Sequence, residues 1–160
     1  MQRAVKRASR YHDFCAGHRV TGHESKCAHL HGHNYRVHIT VEQARGGVDT
    51  VGRVVDFSEI KRVGNWIEEN WDHRMLIWEE DPMADELLLL DRSMRARGCQ
   101  RTNGVLLVPF NPTAENMAEY LLFVVGPDLL EDLGVRVVGV RVEETRKCEA
   151  VAYRTDPPAV

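Results

Sequence analysis

From His31 to Val41 the sequence alternates without a break, with His31, His33, Tyr35, Val37, Ile39 and Val41 on one face and Asn34, Arg36, His38 and Thr40 on the other. Such a run reads as a half-buried antiparallel strand. Residues two apart project from the same side, so its apolar face begins with two imidazoles. An earlier run, Tyr11 to Val20, alternates in the same way and puts His12, Phe14, Ala16, His18 and Val20 together. The two runs pair as a hairpin whose loop is residues 21–30, and His18 then comes level with His31 and His33. Whatever the chain folds into must gather these three side chains at one end of a sheet.

Three neutral imidazoles suit zinc, and a three-ligand site leaves a fourth position open for water or substrate, as catalytic zinc requires. His29 shares the parity of His31 and could replace one of the three, and His23 stands in the same loop, where strand geometry does not fix its direction. His12 and His38 read as structural. Cys27 lies four residues before His31. A thiol near a cation, but not bound to it, has its ordinary pKa of about 8.5 depressed, which fits a base or nucleophile.

The 160 residues, 43% apolar and 28% charged, fit one soluble domain spanning 1–160. A net charge of −3 argues against a nucleic-acid partner, although the opening MQRAVKRASR is basic. No apolar run approaches the roughly 20 residues of a membrane span, and no signal peptide is evident, so a cytoplasmic protein without a membrane partner is expected. The four cysteines, Cys15, Cys27, Cys99 and Cys148, are expected as free thiols.

Asp56 to Trp71 places Phe57, Ile60, Val63, Ile67 and Trp71 at helical spacing, with Asp56 and Glu59 as a capping pair. It runs into Asp72-His73-Arg74, where neighbouring side chains can bond ring to carboxylate only if the turn is arranged for it. Residues 78–104 form a helical insertion, with Met83, Leu87, Leu90 and Met94 in register, and the four leucines 87–90 suggest burial on two sides. After the apolar piece Val105–Phe110, Asn111-Pro112-Thr113 opens a third helix with Thr113 as N-cap and Met117, Tyr120, Leu121 and Val124 inward. Two strands follow, Val135–Thr145 and Cys148–Thr155. In the first, Val138, Val140, Val142 and Glu144 share a face, so an apolar face ends in a carboxylate that a bound ligand explains best. Glu143, opposite, reads as solvated. The expected fold is α+β: a four-stranded antiparallel sheet, helices packed on one face, and two open edges suited to oligomerisation.

The motifs FCAGHRV, CAHLHGHNY, VVDFSEIK, WDHRML, NPTAEN and VRVEET, in this order over residues 11–155, resemble the 6-pyruvoyltetrahydropterin synthase superfamily. The spacing of Cys27, His31 and His33 resembles its 6-carboxy-5,6,7,8-tetrahydropterin synthase branch. The resemblance implies a tunnelling fold (T-fold) assembled edge to edge, commonly as a hexamer, with sites between subunits. It implies zinc on His18, His31 and His33, Cys27 as catalytic thiol, Asp72 and His73 completing a proton relay, and Glu144 anchoring the pterin ring. The implied reaction takes the pterin triphosphate 7,8-dihydroneopterin triphosphate to 6-carboxytetrahydropterin, acetaldehyde and triphosphate, towards queuosine and other 7-deazaguanines. Lys26 and Arg74 are candidate cations for the triphosphate. Two alternatives stay open: the sister 6-pyruvoyltetrahydropterin synthase activity, and a zinc-binding module without catalysis. Cys15 stands where serine is common, Gly17 where alanine is, and Glu143 where an aromatic residue is.

Overall fold

The alternating runs pair as their pattern demands. In the computed structural model, which describes residues 4–155, strand β1 (Ala8–His18) lies antiparallel to β2 (His31–Gln43) with His18 opposite His31 and Ala16 opposite His33. Met1–Arg3 of the basic opening segment and residues 156–160 lie outside the described residues. β1 starts three residues before the expected Tyr11 and ends at His18 rather than Val20, because Val20 turns away to donate its amide to the Cys27 carbonyl at 2.7 Å.

Helix α1 (Phe57–Asn70) follows, then β3 (Met75–Trp78), α2 (Ala84–Ala96), β4 (Val105–Val108), α3 (Ala114–Tyr120), a π-helical turn (Leu121–Val125), α4 (Gly126–Leu130), β5 (Val135–Thr145) and β6 (Cys148–Tyr153). The strands form one sheet in the order β4-β3-β1-β2-β5-β6. The antiparallel part, β1-β2-β5-β6, is the expected four-stranded sheet. The correction is at its flank, where β3 pairs parallel to β1 and β4 parallel to β3, making six strands and a mixed sheet. α2 supplies the crossover that a parallel β3–β4 pair needs.

The core lies between the sheet and the helices. Phe14, Ala16, Tyr35, Val37, Ile39, Val140 and Val142 meet Ile60, Val63, Ile67, Met117, Leu121 and Leu122. α1 crosses β1 closely at Gly64, where an added Cβ would stand 2.9 Å from the His12 ring. The other sheet face is polar, with Arg36 gripping Asp13 at 2.6 and 2.9 Å. On that face Glu143 is not merely solvated: it bonds His38 at 2.7 Å and pairs with Arg141 at 3.4 Å.

Four local expectations change. Between Thr40 and Val41 the β2–β5 register shifts, so Val137 rather than Val138 joins Val140 and Val142 in the core. The π-helical turn winds wider than an α-helix and leaves Val124 50% exposed, with Val125 inward. Asp56 caps α1 through the Ser58 amide at 2.9 Å, while Glu59 pairs with Arg62 at 2.6 Å. In α2 only Ala84 and Asp91 are buried, so the leucine run is not covered on two sides by the described residues.

Candidate metal centre and adjoining clefts

The hairpin register puts His18, His31 and His33 at one end of the helix-covered face, each offering a ring nitrogen within 4.8 Å of the others. Backbone carbonyls fix two of the rings. His18 Nδ1–H donates to Pro112 O at 2.7 Å and His31 Nδ1–H donates to His29 O at 2.7 Å. With both protons held on Nδ1, the two Nε2 atoms present lone pairs, and these face each other only 3.0 Å apart. Two lone pairs at that separation repel unless a cation stands between them. His33 Nε2 is buried with no hydrogen-bond partner among the described residues. Ring N–H groups tied to backbone carbonyls and free lone pairs turned inward are what metal-ligating histidines show. The residues present therefore fit a metal ion.

Burial, foremost, pushes the His18 imidazole below its ordinary pKa, and the neighbouring His31 adds to it against the pull of Pro112 O and Glu144. Burial lowers His33 likewise, opposed by Glu144. Both rings are thus kept in the neutral form that binds metal. His29, the competitor for a place in the trio, contributes its carbonyl instead of its ring. His23 accepts the Ser25 amide at Nδ1, 2.9 Å away, and is not part of the trio.

Glu144, near the end of β5, faces the inward-turned ring nitrogens of the trio rather than valines. Its Oε1 is 3.5 Å from His18 Nε2 and 3.7 Å from His33 Nε2. Cys27 sits on a short 3₁₀ turn (Lys26–Ala28) and shares a cleft of about 270 Å³ with Glu144, His23, Thr113 and Cys148.

Asp72 and His73 do bond, and the turn is arranged for it. His73 is the one non-glycine residue among those described with a left-handed backbone, φ 57°, which brings its Nδ1 to 2.6 Å from Asp72 Oδ2. Asp72 Oδ1 accepts the Cys15 amide at 2.9 Å, and the His73 amide donates to Cys15 O at 2.7 Å, pinning the turn to β1. Burial pushes the Asp72 carboxyl up, but the Cys15 amide and the His73 ring outweigh it and hold it below the usual carboxylate range. This dyad faces a different cleft, of about 1110 Å³, which it shares with His33, Cys15 and Glu144. One chain therefore lines one cleft with Cys27 and Glu144 and another with the dyad, His33 and Glu144, so that Glu144 borders both. It does not put Cys27 and His73 in one cleft. Arg74 lines a neighbouring cleft with His33 and His73.

Two residues escaped the sequence reading. Tyr35, 1% exposed, stacks on Phe14 with its ring edge-on to His33, and its hydroxyl is buried without a hydrogen-bond partner among the described residues. No pattern in the sequence distinguishes that hydroxyl from a core aromatic. Asn111 uses its carboxamide on the backbone of Thr21 in the thiol-bearing loop. In the sequence Asn111 reads as part of a helix start and of the NPTAEN motif, and neither shows that its side chain reaches the loop.

The profile of the 6-pyruvoyl tetrahydropterin synthase family matches residues 7–155. A 6-carboxy-5,6,7,8-tetrahydropterin synthase of Rickettsia bellii is 34% identical over 137 residues, covering 85% of this chain and 91% of its own. Among solved structures, an uncharacterised protein of Wolinella succinogenes superposes with a TM-score of 0.76 at 27% identity, over 94% of this chain and 99% of that one. The 6-pyruvoyl tetrahydropterin synthase of Caenorhabditis elegans superposes with a TM-score of 0.62 at 21% identity, over 97% and 99%, and shares the fold. On the match of nearly its whole length, carrying the histidine trio at the head of the hairpin, the chain belongs to the 6-pyruvoyl tetrahydropterin synthase family.

Proposed function

We propose that the protein is a zinc-dependent 6-carboxy-5,6,7,8-tetrahydropterin synthase, a lyase converting 7,8-dihydroneopterin triphosphate to 6-carboxytetrahydropterin with release of acetaldehyde and triphosphate, on the way to queuosine or another 7-deazaguanine. The observation that carries the reading is the pair of opposed Nε2 lone pairs 3.0 Å apart, beside the buried His33 Nε2, which has no hydrogen-bond partner among the described residues. It calls for a cation held by His18, His31 and His33, and the all-nitrogen donor set suits zinc. When bound, zinc supplies Lewis acidity towards the hydroxyls of the substrate side chain. The names carried by relatives such as that of Rickettsia bellii support the carboxy product.

The chain's own residues take the remaining roles. Glu144, flanked by both clefts, accepts hydrogen bonds from the guanidine-like edge of the pterin and orients the ring. Cys27, in the smaller cleft with Glu144, removes a proton from the substrate side chain. His73 returns or removes one from its other side, with Asp72 holding the proton on Nδ1 so that Nε2 does the exchange. Because Cys27 and His73 face separate clefts of one chain, the complete site forms between subunits of a homo-oligomer, a hexamer by analogy, in which a neighbour's dyad meets this chain's thiol. Residues 1–160 act as one domain in the cytoplasm, with 78–104 as an insertion, and neither a membrane nor a nucleic acid is a partner.

The test is to incubate the zinc-loaded protein with 7,8-dihydroneopterin triphosphate, identify the pterin by mass spectrometry and assay acetaldehyde separately. Carboxytetrahydropterin with stoichiometric acetaldehyde is expected. A pyruvoyl product without acetaldehyde would move the protein to the sister activity, and absence of turnover with zinc bound would overturn the reading.

A further inference from the structure

The loop between β1 and β2 carries Cys27 and closes on itself through the Val20 amide on the Cys27 carbonyl at 2.7 Å and the His23 amide on the Val20 carbonyl at 3.2 Å. What seats this closed loop on the rest of the fold comes from elsewhere. Asn111 Oδ1 accepts the Thr21 amide at 3.0 Å and Asn111 Nδ2 donates to the Thr21 carbonyl at 2.8 Å, so one side chain reproduces both bonds of a β-bridge on one loop residue. The base of this clip is itself tied: the Asn111 carbonyl accepts the Thr113 amide at 2.7 Å and Asn116 Nδ2 at 2.8 Å, fixing it to the first turn of α3. The next residue, Pro112, gives the carbonyl that orients His18. On the loop side, Val20, adjacent to Thr21, donates to the Cys27 carbonyl at 2.7 Å. A second tie runs through Asp81, whose side chain is wholly buried: it accepts the Thr21 hydroxyl and the Met83 amide at 2.8 Å, and forms an ion pair with Arg19, Nε 3.2 Å away.

We propose that Asn111 is a positioning residue, whose carboxamide sets the loop 19–30 so that Cys27 is held in the cleft beside Glu144 at a fixed offset from the imidazole that Pro112 orients. One tripeptide thereby aligns the thiol with the metal centre. Metal binding does not depend on the clip, since His18 is held by a backbone carbonyl that any residue 111 leaves in place. The catalytic consequence rests on the role of Cys27 proposed above; the placement of the loop does not.

The experiment compares zinc-loaded wild type, Asn111→Ala and Thr21→Val by three readouts: alkylation of Cys27 by iodoacetamide followed by peptide mass spectrometry with Cys99 as internal reference, metal content, and kcat and KM separately. Asn111→Ala is expected to keep its metal, to alkylate at Cys27 about ten-fold faster as the loop opens locally, and to lose about 10- to 100-fold in kcat with little change in KM. Thr21→Val, which keeps the carboxamide grip and loses only the Asp81 bond, is expected to shift the same way by less; Asn111→Asp, which keeps the acceptor for the Thr21 amide and loses the donor to the Thr21 carbonyl, decides the matter by the same readouts if Asn111→Ala does not fold. Unchanged alkylation in these variants overturns the proposal, as does loss of metal in step with loss of activity. Faster alkylation with unchanged kcat upholds the clip and removes Cys27 from the chemistry. If the wild type turns over no pterin, alkylation and metal content still decide.

Discussion

At His73 the chain adopts a conformation that L-residues avoid at a cost of about 1–2 kcal/mol, and it does so to aim a ring at the carboxylate one residue away. The two bonds to Cys15 hold the turn in that shape, so the strain is borne by β1. Asp72→Asn removes the anionic partner while leaving an oxygen for the Cys15 amide. Its turnover is expected to fall about 10²- to 10⁴-fold, the span of a lost acid–base contribution, with a urea midpoint close to wild type. At the metal centre the roles separate by side chain: His31→Ala should purify without zinc, whereas Cys27→Ala should retain zinc and fold and lose turnover, as metal analysis beside activity will show. Tyr35→Phe deletes a buried hydroxyl that has no hydrogen-bond partner among the described residues, so the metal-free variant is expected to unfold at the same or a higher temperature than wild type.

The elements differ in how plainly the sequence announced them, and the difference is physical. β1, β2 and α1 each bury one face over ten residues or more, so a period of two or of 3.6 repeats often enough to be read, and the convergence of His18, His31 and His33 followed from the hairpin alone. β3 and β4 have four residues each and pair in parallel, too short to show a period and with no tight turn between them. The register shift in β5 and the π-helical turn after α3 each displace one residue, which is why Val138 and Val124 point elsewhere than a regular strand or helix would put them. The dyad was legible as a pair of residues, but not its geometry, which depends on a single backbone angle. Thr113 caps α3 as read, accepting the Asn116 amide at 3.2 Å. Thr113→Ala is expected to destabilise the protein by about 1 kcal/mol, measured by urea unfolding.

On the scale of the whole molecule, β4 and β6 form the two ends of the sheet, with no further strand paired to them among the described residues, and the thiol and the dyad open into separate clefts. If neighbouring subunits complete each other's sites, co-refolding Cys27→Ala with His73→Ala restores activity to about a quarter of wild type, the chance that a site receives both intact halves from random mixing; no recovery would confine each site to one chain. Acid should weaken the metal-free protein in a defined window. His18 and His33 are held neutral below their ordinary pKa of 6.5, so as pH falls through that value the unfolded chain takes up protons that the folded chain refuses. Stability is therefore expected to be full above about pH 6.5 and to decline as the pH falls below it, with melting temperatures of the metal-free form as the measure. The pairing of His18 opposite His31 has a further consequence for folding itself. A hairpin slipped by one residue would turn one strand's imidazoles to the opposite face of the sheet and scatter the trio. An ion bound by all three nitrogens thus stabilises the native alignment and no other, so the metal acts as a selective reward for correct strand register while the chain is still finding its fold.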